Sequence, residues 1–221
     1  MRINKFLSSL GVASRRAIDK YIEEGRIKVN GAVASTGIDI TEDDEIYIDN
    51  KKIETKRIEE KVYFMLNKPL EVLSASSDDR GRKTVVDLIK TDKRIFPIGR
   101  LDYMTSGLIL LTNDGELFNR LVHPKSEIYK KYYIKVFGEV KKEEIEELKK
   151  GVLLEDGKTL PAKVSGIKYD KNKTSMYISI REGRNRQIRR MIEKLGYKVL
   201  MLRREKIGEL SLGDLKEGKY R

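Results

Sequence analysis

Along the first 25 residues the apolar positions recur at helical spacing. Ile3, Phe6, Leu7 and Leu10 fall on one stripe that Gly11 ends, which predicts a helix over 3–10. Ser14 stands where an N-cap belongs. Ala17, Ile18, Tyr21 and Ile22 then form the apolar face of a second helix over 15–24, closed by Gly25. The pattern next changes to alternation. Ile27 and Val29 alternate with basic residues, and Asn30-Gly31 is the dipeptide of a type I′ turn, whose two central residues need positive φ. Val33 opens the return strand, and a further short strand falls at 45–48. The segment NKKIETKRIEEK, 50–61, is charged throughout and reads as a linker.

From Val62 onward short apolar runs predict strands at 62–66, 95–99, 108–112, 132–138, 176–180 and 198–202. Helices are predicted at 84–91, 115–122, 141–150 and 186–195. Strands and helices mix without a regular βαβ alternation, so the fold class is α+β with a mixed, mostly antiparallel sheet. The organisation predicted is a small module over 1–60, including its linker, and a larger domain over 61–221.

Composition narrows the chemistry. The 221 residues contain no Cys, which excludes disulfides, thiol catalysis and Cys-ligated zinc. One His, His123 in Leu-Val-His-Pro, excludes sites that need two imidazoles and is expected to be structural. No apolar run is long enough to span a membrane, and residues 1–16 lack the apolar block of a secretory leader. The expected setting is therefore a soluble, cytoplasmic monomer with no membrane partner. The net charge is +12, which points to a polyanionic partner. It is unevenly spread: residues 1–28 carry a net +4, TEDDEIYID at 41–49 is acidic, and 181–206 holds ten Lys/Arg against three Glu. Two separated basic clusters suggest two surfaces for phosphates.

Four strings carry candidate chemistry. In GRLDYMTSGLILLTNDG, 99–115, Asp102 sits in a loop bracketed by Gly99 and Gly107, beside Arg100 and ahead of an apolar strand. In EGRNRQIRRMIEKLG, 182–196, Arg184, Arg186, Arg189 and Arg190 crowd the start of an amphipathic helix. The helix dipole disfavours cations there, so a polyanion or a buried carboxylate is expected to compensate them. In KKYYIKVFGEV, 130–140, aromatics alternate with Lys on a strand. That pattern suits either base stacking or ordinary packing. In LNKP, 66–69, Lys68 closes a strand at a turn that can face substrate. No P-loop, GxGxxG or calcium loop is present, and no cofactor or metal is expected.

Taken together, these strings resemble the S4-domain-containing bacterial ribosomal RNA pseudouridine synthases of the RsuA type. RINKFLSSLGVASRRAIDKYIEEGRIKVNG is similar to the S4 RNA-binding module, and GRLDYMTSGLILLTNDGEL to the family's catalytic motif. LNKP, KKYYIKVFG, EGRNRQIRRM and LRREKIG are similar to its other blocks, in the family's order. The resemblance implies isomerisation of a uridine within RNA: the N1–C1′ bond breaks, the base rotates, and C5 joins C1′. It makes Asp102 the catalytic carboxylate, Tyr132 the active-site tyrosine with Tyr133 as the register competitor, and Arg189 the cation that pairs with the carboxylate. It places Leu202 under the target base and Arg100 near the extruded nucleotide and its phosphates. It also implies that Ser14, Arg15, Arg16, Lys20 and Lys28 lie on the S4 surface that grips a separate RNA helix.

Two residues depart from the family pattern. Glu71 stands where a Gly is usual two residues after the Pro of LNKP, and Met104 replaces a commonly polar residue. The chain stops at GKYR, where relatives of this kind usually continue for a short tail. The implied partner is ribosomal RNA, free or in a subunit assembly intermediate. TNDGELFNRLVHP and KVFGEV favour the large-subunit (23S) members over 16S. The alternatives are the same reaction on 16S rRNA, a non-catalytic rRNA-binding assembly factor, or a general nucleic-acid binder.

Overall fold

A computed structural model of the chain describes residues 1–56, 60–123 and 126–221. The chain divides into two compact units. The first is Met1–Val62 with Thr91–Arg94 and Asn113–Gly115, and the second is Tyr63–Lys90, Ile95–Thr112 and Glu116–Arg221.

In the first unit α1 (Ile3–Ser9) and α2 (Arg15–Glu23) precede β1 (Ile27–Val29), β2 (Ala32–Val33), β3 (Ile46–Ile48) and β4 (Lys51–Lys52). Both helices and the hairpin agree with the sequence pattern. The Ser14 hydroxyl accepts from Ala17 N at 3.1 Å, the N-cap bond expected, which is worth about 1 kcal/mol. Asn30 and Gly31 take φ of 50° and 83°, as a type I′ turn requires. Ile3, Leu7, Ile18, Ile22, Ile27 and Ile46 are buried as one cluster under the sheet β2-β1-β3-β4. The linker expectation is corrected at its start. Lys51 and Lys52 pair with Ile48 and Tyr47, so the sheet runs on past the Asp49-Asn50 turn. Residues 57–59 of that segment lie outside the described residues.

The second unit is one large sheet with its helices and a small separate hairpin. Its elements are β5 (Tyr63–Lys68), β6 (Phe96–Ile98), β7 (Ser106–Thr112), α3 (Gly115–Val122), β8 (Lys130–Phe137) and α4 (Lys142–Lys150). There follow β9 (Leu153–Leu154), β10 (Gly157–Lys158), β11 (Lys163–Tyr169), β12 (Lys173–Ile180), α5 (Gln187–Lys194), β13 (Lys198–Ile207) and β14 (Leu210–Ser211). The strand order is β11-β12-β8-β13-β7-β5, with β6 on β7 and β14 on β13; β9 and β10 form a separate small hairpin. Every pairing is antiparallel except β13 with β7, where Arg203 and Arg204 run parallel to Ser106 and Gly107. This is the mixed, mostly antiparallel sheet the pattern predicts.

That parallel contact is very close. A Cβ on Gly107, at φ 107°, would lie 2.3 Å from the Arg204 carbonyl oxygen, so only glycine permits the two backbones to meet. At the other edge residues 218–221 pair with β5: Met65 N donates to Arg221 O at 2.8 Å, and Asn67 N to Lys219 O at 3.0 Å.

The predicted helix over 84–91 is corrected to one 3₁₀ turn at Val86–Leu88. Asp87 turns back to accept from Thr84 N at 2.8 Å and from its hydroxyl at 2.9 Å. That local closure, with β-branched Val85 and Val86 beside it, competes with a continuing helix.

Along β8 and β12 burial alternates strictly. Tyr132, Ile134, Val136, Thr174, Met176, Ile178 and Ile180 are buried on one face, together with Ile145 and Leu148 of α4 and Met191 and Ile192 of α5. The other face is partly exposed, the one-sided pattern of an antiparallel sheet.

Candidate active site

The turn carrying Asp102 is fixed from four sides. Within it, Thr105 N donates to the Asp102 carbonyl at 3.0 Å. The Ser74 hydroxyl bonds both the Leu101 carbonyl, at 2.8 Å, and the Leu101 amide, at 3.0 Å. Glu71 N donates to Tyr103 O at 2.9 Å. From α5, Arg189 Nη2 donates to Met104 O at 2.5 Å and reaches the Thr105 hydroxyl at 3.5 Å. A turn with this many anchors fixes the backbone from which the Asp102 carboxylate projects before any ligand arrives.

Both departures from the family pattern sit in this loop system. Glu71 adopts φ 60°, the left-handed conformation a glycine would take most easily, so the backbone geometry is kept despite the residue change. Met104 is used through its carbonyl only, and its side chain is exposed.

Asp102 lines a groove of about 530 Å³ in the second unit, within the range of small-ligand sites. Among the residues assigned from sequence, Arg100, Asp102, Tyr132, Arg184, Arg186 and Leu202 line it. Tyr132 comes from the buried face of β8, and the Tyr133 competitor points to the opposite face. Leu202 is buried on β13, and Leu101, Ile180 and Ile207 extend the apolar surface. His123 is exposed at the groove's margin.

Arg189 is buried and does not form an ion pair with Asp102 within 4.0 Å; it grips the turn by its carbonyl instead. Burial and the neighbouring Arg186 pull its guanidinium below the ordinary value, and the negative field of Asp102 opposes them. Lys68 is also redirected. Its side chain is completely buried, with Nζ donating to Pro69 O at 2.8 Å, so it is not a surface contact for RNA. Burial drops its amine to about 8, against the fields of Asp102 and Glu217, which raise it.

The Arg cluster of α5 is compensated largely by the protein itself. Arg184 pairs with Glu182 at 3.1 Å and donates to Gly157 O at 2.9 Å and Lys158 O at 2.7 Å. Arg190 pairs with Asp156 at 2.9 Å. Both tie α5 to the β9–β10 hairpin, so carboxylates of the protein supply the compensation expected for them, and Arg184 also lines the groove. Arg186, at φ 47° in the N-cap position, has only a 3.7 Å pair with Glu193 and remains available at the groove.

Sequence reasoning missed two cations in the groove. Arg204 is buried, donates Nε to Leu108 O at 2.7 Å, and leaves Nη2 with no partner. Lys130 stands near it, half-buried. Burial and the Arg204 charge both push its ammonium below its usual range. Two cations so placed suit a guest that brings negative charge with it.

In the first unit Arg15, Arg16, Lys20 and Lys28 are all exposed. Lys20 makes a 3.7 Å pair with Glu24, and the Ser14 side chain is spent on capping α2.

A groove lined by Asp102 on its anchored turn, a tyrosine, an apolar platform and several cations suits a planar guest with phosphates attached. Comparison with known proteins agrees. A family model described as RNA pseudouridylate synthase matches residues 62–194, and one described as S4 domain matches residues 1–46. The chain belongs to the RNA pseudouridylate synthase family. It is 49% identical to the ribosomal large subunit pseudouridine synthase B of Bacillus subtilis (strain 168), over 100% of this chain and 91% of that protein. It is 44% identical to an uncharacterized RNA pseudouridine synthase of Aquifex aeolicus (strain VF5), over 100% of this chain and 89% of the relative. The crystal structure of a pseudouridylate synthase superposes with a TM-score of 0.70 at 33% identity, covering 100% of this chain and 95% of that one.

Proposed function

We propose that the protein converts a specific uridine of 23S ribosomal RNA to pseudouridine, with Asp102 as the catalytic carboxylate. The observation that supports this reading is that the anchored Asp102 turn lines one cationic groove with Tyr132 and Leu202, in a chain of this family. The large-subunit assignment draws on the name of the Bacillus relative. Residues 1–60 act as the RNA-gripping module through Arg15, Arg16, Lys20 and Lys28, and residues 61–221 as the catalytic domain. The protein works as a cytoplasmic monomer on free rRNA or on an assembly intermediate.

The target base leaves its stack at a cost of a few kcal/mol, which phosphate contacts at Arg100, Arg186, Lys130 and Arg204 offset. Leu202 and Tyr132 receive the base, and Asp102 faces the sugar. The N1–C1′ bond breaks, C5 takes its place on C1′, the C5 proton leaves to solvent and N1 gains one, so the exchange is redox-neutral. Arg189 acts as a positioning residue through Met104 O. The test is tritium release from [5-³H]uridine-labelled 23S rRNA. Asp102→Asn is expected to abolish release while leaving RNA affinity within a few-fold; release at the wild-type rate would overturn the role of Asp102. Release from 16S rRNA alone would overturn the subunit assignment.

A further inference from the structure

The aromatic–lysine alternation of β8 is only half used by the groove. Tyr132 faces it, whereas Lys131, Tyr133 and Lys135 project from the other side of the sheet. We propose that this outer face of β11-β12-β8-β13 is a second RNA surface, on which an unpaired segment of the substrate stacks on Tyr133 and Tyr177 with its phosphates held by the surrounding cations. The proposal rests on the reading of the substrate as RNA and adds a contact outside the groove.

The strand register composes the surface. Tyr177 lies directly opposite Tyr133, and Tyr133 opposite Arg203, so the three form one row across the sheet. The two rings meet edge to face at 5.6 Å. Lys131 Nζ is 4.3 Å from the Tyr177 ring centre, and the Arg203 guanidinium 5.9 Å from that of Tyr133. The neighbours of Tyr177 on this face are small: Ser175, Ser179 and, across the edge, Ser165. Gly166, at a bulge with φ 62°, removes a Cβ that would meet the Tyr177 ring at 2.9 Å. The Tyr177 ring thus lies over Gly166 among small side chains, and a base stacks on it by displacing the Lys131 ammonium, which is then free to meet a phosphate.

The charge is one-sided. At the paired positions of this face stand Lys131, Lys135, Lys163, Lys168, Arg203 and Lys206, and no Asp or Glu. Glu205, at a β13 bulge, is held by Arg203 at 2.7 Å. Lys131 and Lys206 are directly opposite each other on adjacent strands, an arrangement that is destabilising without an anion. Lysines on the edge strand β11 are explained by edge protection, but β8 and β13 are interior strands whose edges are already paired. Charge complementarity therefore selects a polyanion, and the tyrosines select one with exposed bases: a single-stranded or looped RNA segment.

The test uses the full chain and a 12-nucleotide single-stranded RNA carrying 4-thiouridine. Near-ultraviolet crosslinks are expected in peptides of β8 and β12, besides any in the groove. The triple variant Lys131→Gln, Lys135→Gln, Lys206→Gln should lower the salt slope of binding by about 2, from three lost phosphate contacts on a single strand. A comparator with equal charge loss on α4, Lys141→Gln, Lys142→Gln, Lys150→Gln, should leave the slope nearly unchanged. Tyr177→Leu should weaken binding about tenfold at constant slope, and Tyr177→Phe should retain it. Crosslinks confined to the groove, equal effects of the two triple variants, or no binding by the wild-type chain would each overturn the proposal. Tritium release by the wild-type protein is measured alongside. Its absence counts against the pseudouridine reading alone, because the crosslink map does not depend on turnover.

Discussion

Glu71 offers a test of whether the turn beneath the Asp102 loop is strained. Its φ of 60° places an L-residue in the left-handed region, which costs roughly 1–2 kcal/mol relative to glycine. Replacing it with glycine removes that cost but gives the unfolded chain more freedom, which takes back about 0.5–1 kcal/mol. The side chain is exposed, so little packing is lost. Glu71→Gly should therefore stabilise the protein by about 0.5–1 kcal/mol, which for a unit of this size raises the Tm by about 2 °C. Glu71→Ala removes the same carboxylate but keeps the Cβ, and should change stability by less than about 0.3 kcal/mol. Urea unfolding and thermal melts of the three proteins decide it. Turnover should be unchanged throughout, because Glu71 N still donates to Tyr103 O in each. Equal stabilisation by Ala and Gly would show that the carboxylate matters rather than the backbone. Destabilisation by Gly would show that the left-handed turn carries no strain.

Three further outcomes are expected. Gly107→Ala should cost more than about 3 kcal/mol or yield insoluble protein, because its Cβ would press on the Arg204 backbone at positive φ; a melt within 2 °C of wild type would refute this. Arg189→Met should lower kcat about a hundredfold with little change in KM, since it frees the Met104 carbonyl and loosens the Asp102 turn; tritium-release kinetics separate the two constants. Lys68 titrates near 8 when folded and near 10.4 when unfolded, so between those values the unfolded chain binds more protons and stability rises with pH. Urea midpoints from pH 7.5 to 9.5 should climb more for wild type than for Lys68→Met, and parallel slopes would refute the buried charge.

Much of the architecture is legible in the chain because local rules and tertiary packing agree. The stripes of α1 and α2, the Ser14 cap and the Asn30-Gly31 turn each specify their element without help from distant residues. The edge strand β11 is not legible, because KVSGIKY carries Gly166 and a bulge where regular alternation would announce a strand. The same obstacle hides part of the site. Bulges in β13 between Val199 and Met201, and again after Arg204, break the period of two. Counting along KVLMLRREKI from either end therefore loses the faces, although the stretch Leu202, Arg203, Arg204 between the bulges alternates regularly and places Arg204 beside Leu202 on the groove side. The Asp102 turn is visible through its bracketing glycines, but its anchors are not. Ser74, Glu71 and Arg189 lie far from it in sequence and meet it only through the fold.

The placement of β13 has a consequence for biosynthesis. This strand, the last long one in chain order, lies between β8 and β7 in the middle of the sheet, so a ribosome making the protein exposes the facing edges of both until residue 207 has emerged. Until then the groove lined by Asp102 lacks Leu202 and Arg204. The same interval leaves two unpaired strand edges open to wrong partners, which makes slow or stalled translation between β8 and β13 the stage at which nascent chains are most exposed to misassembly and most dependent on chaperones.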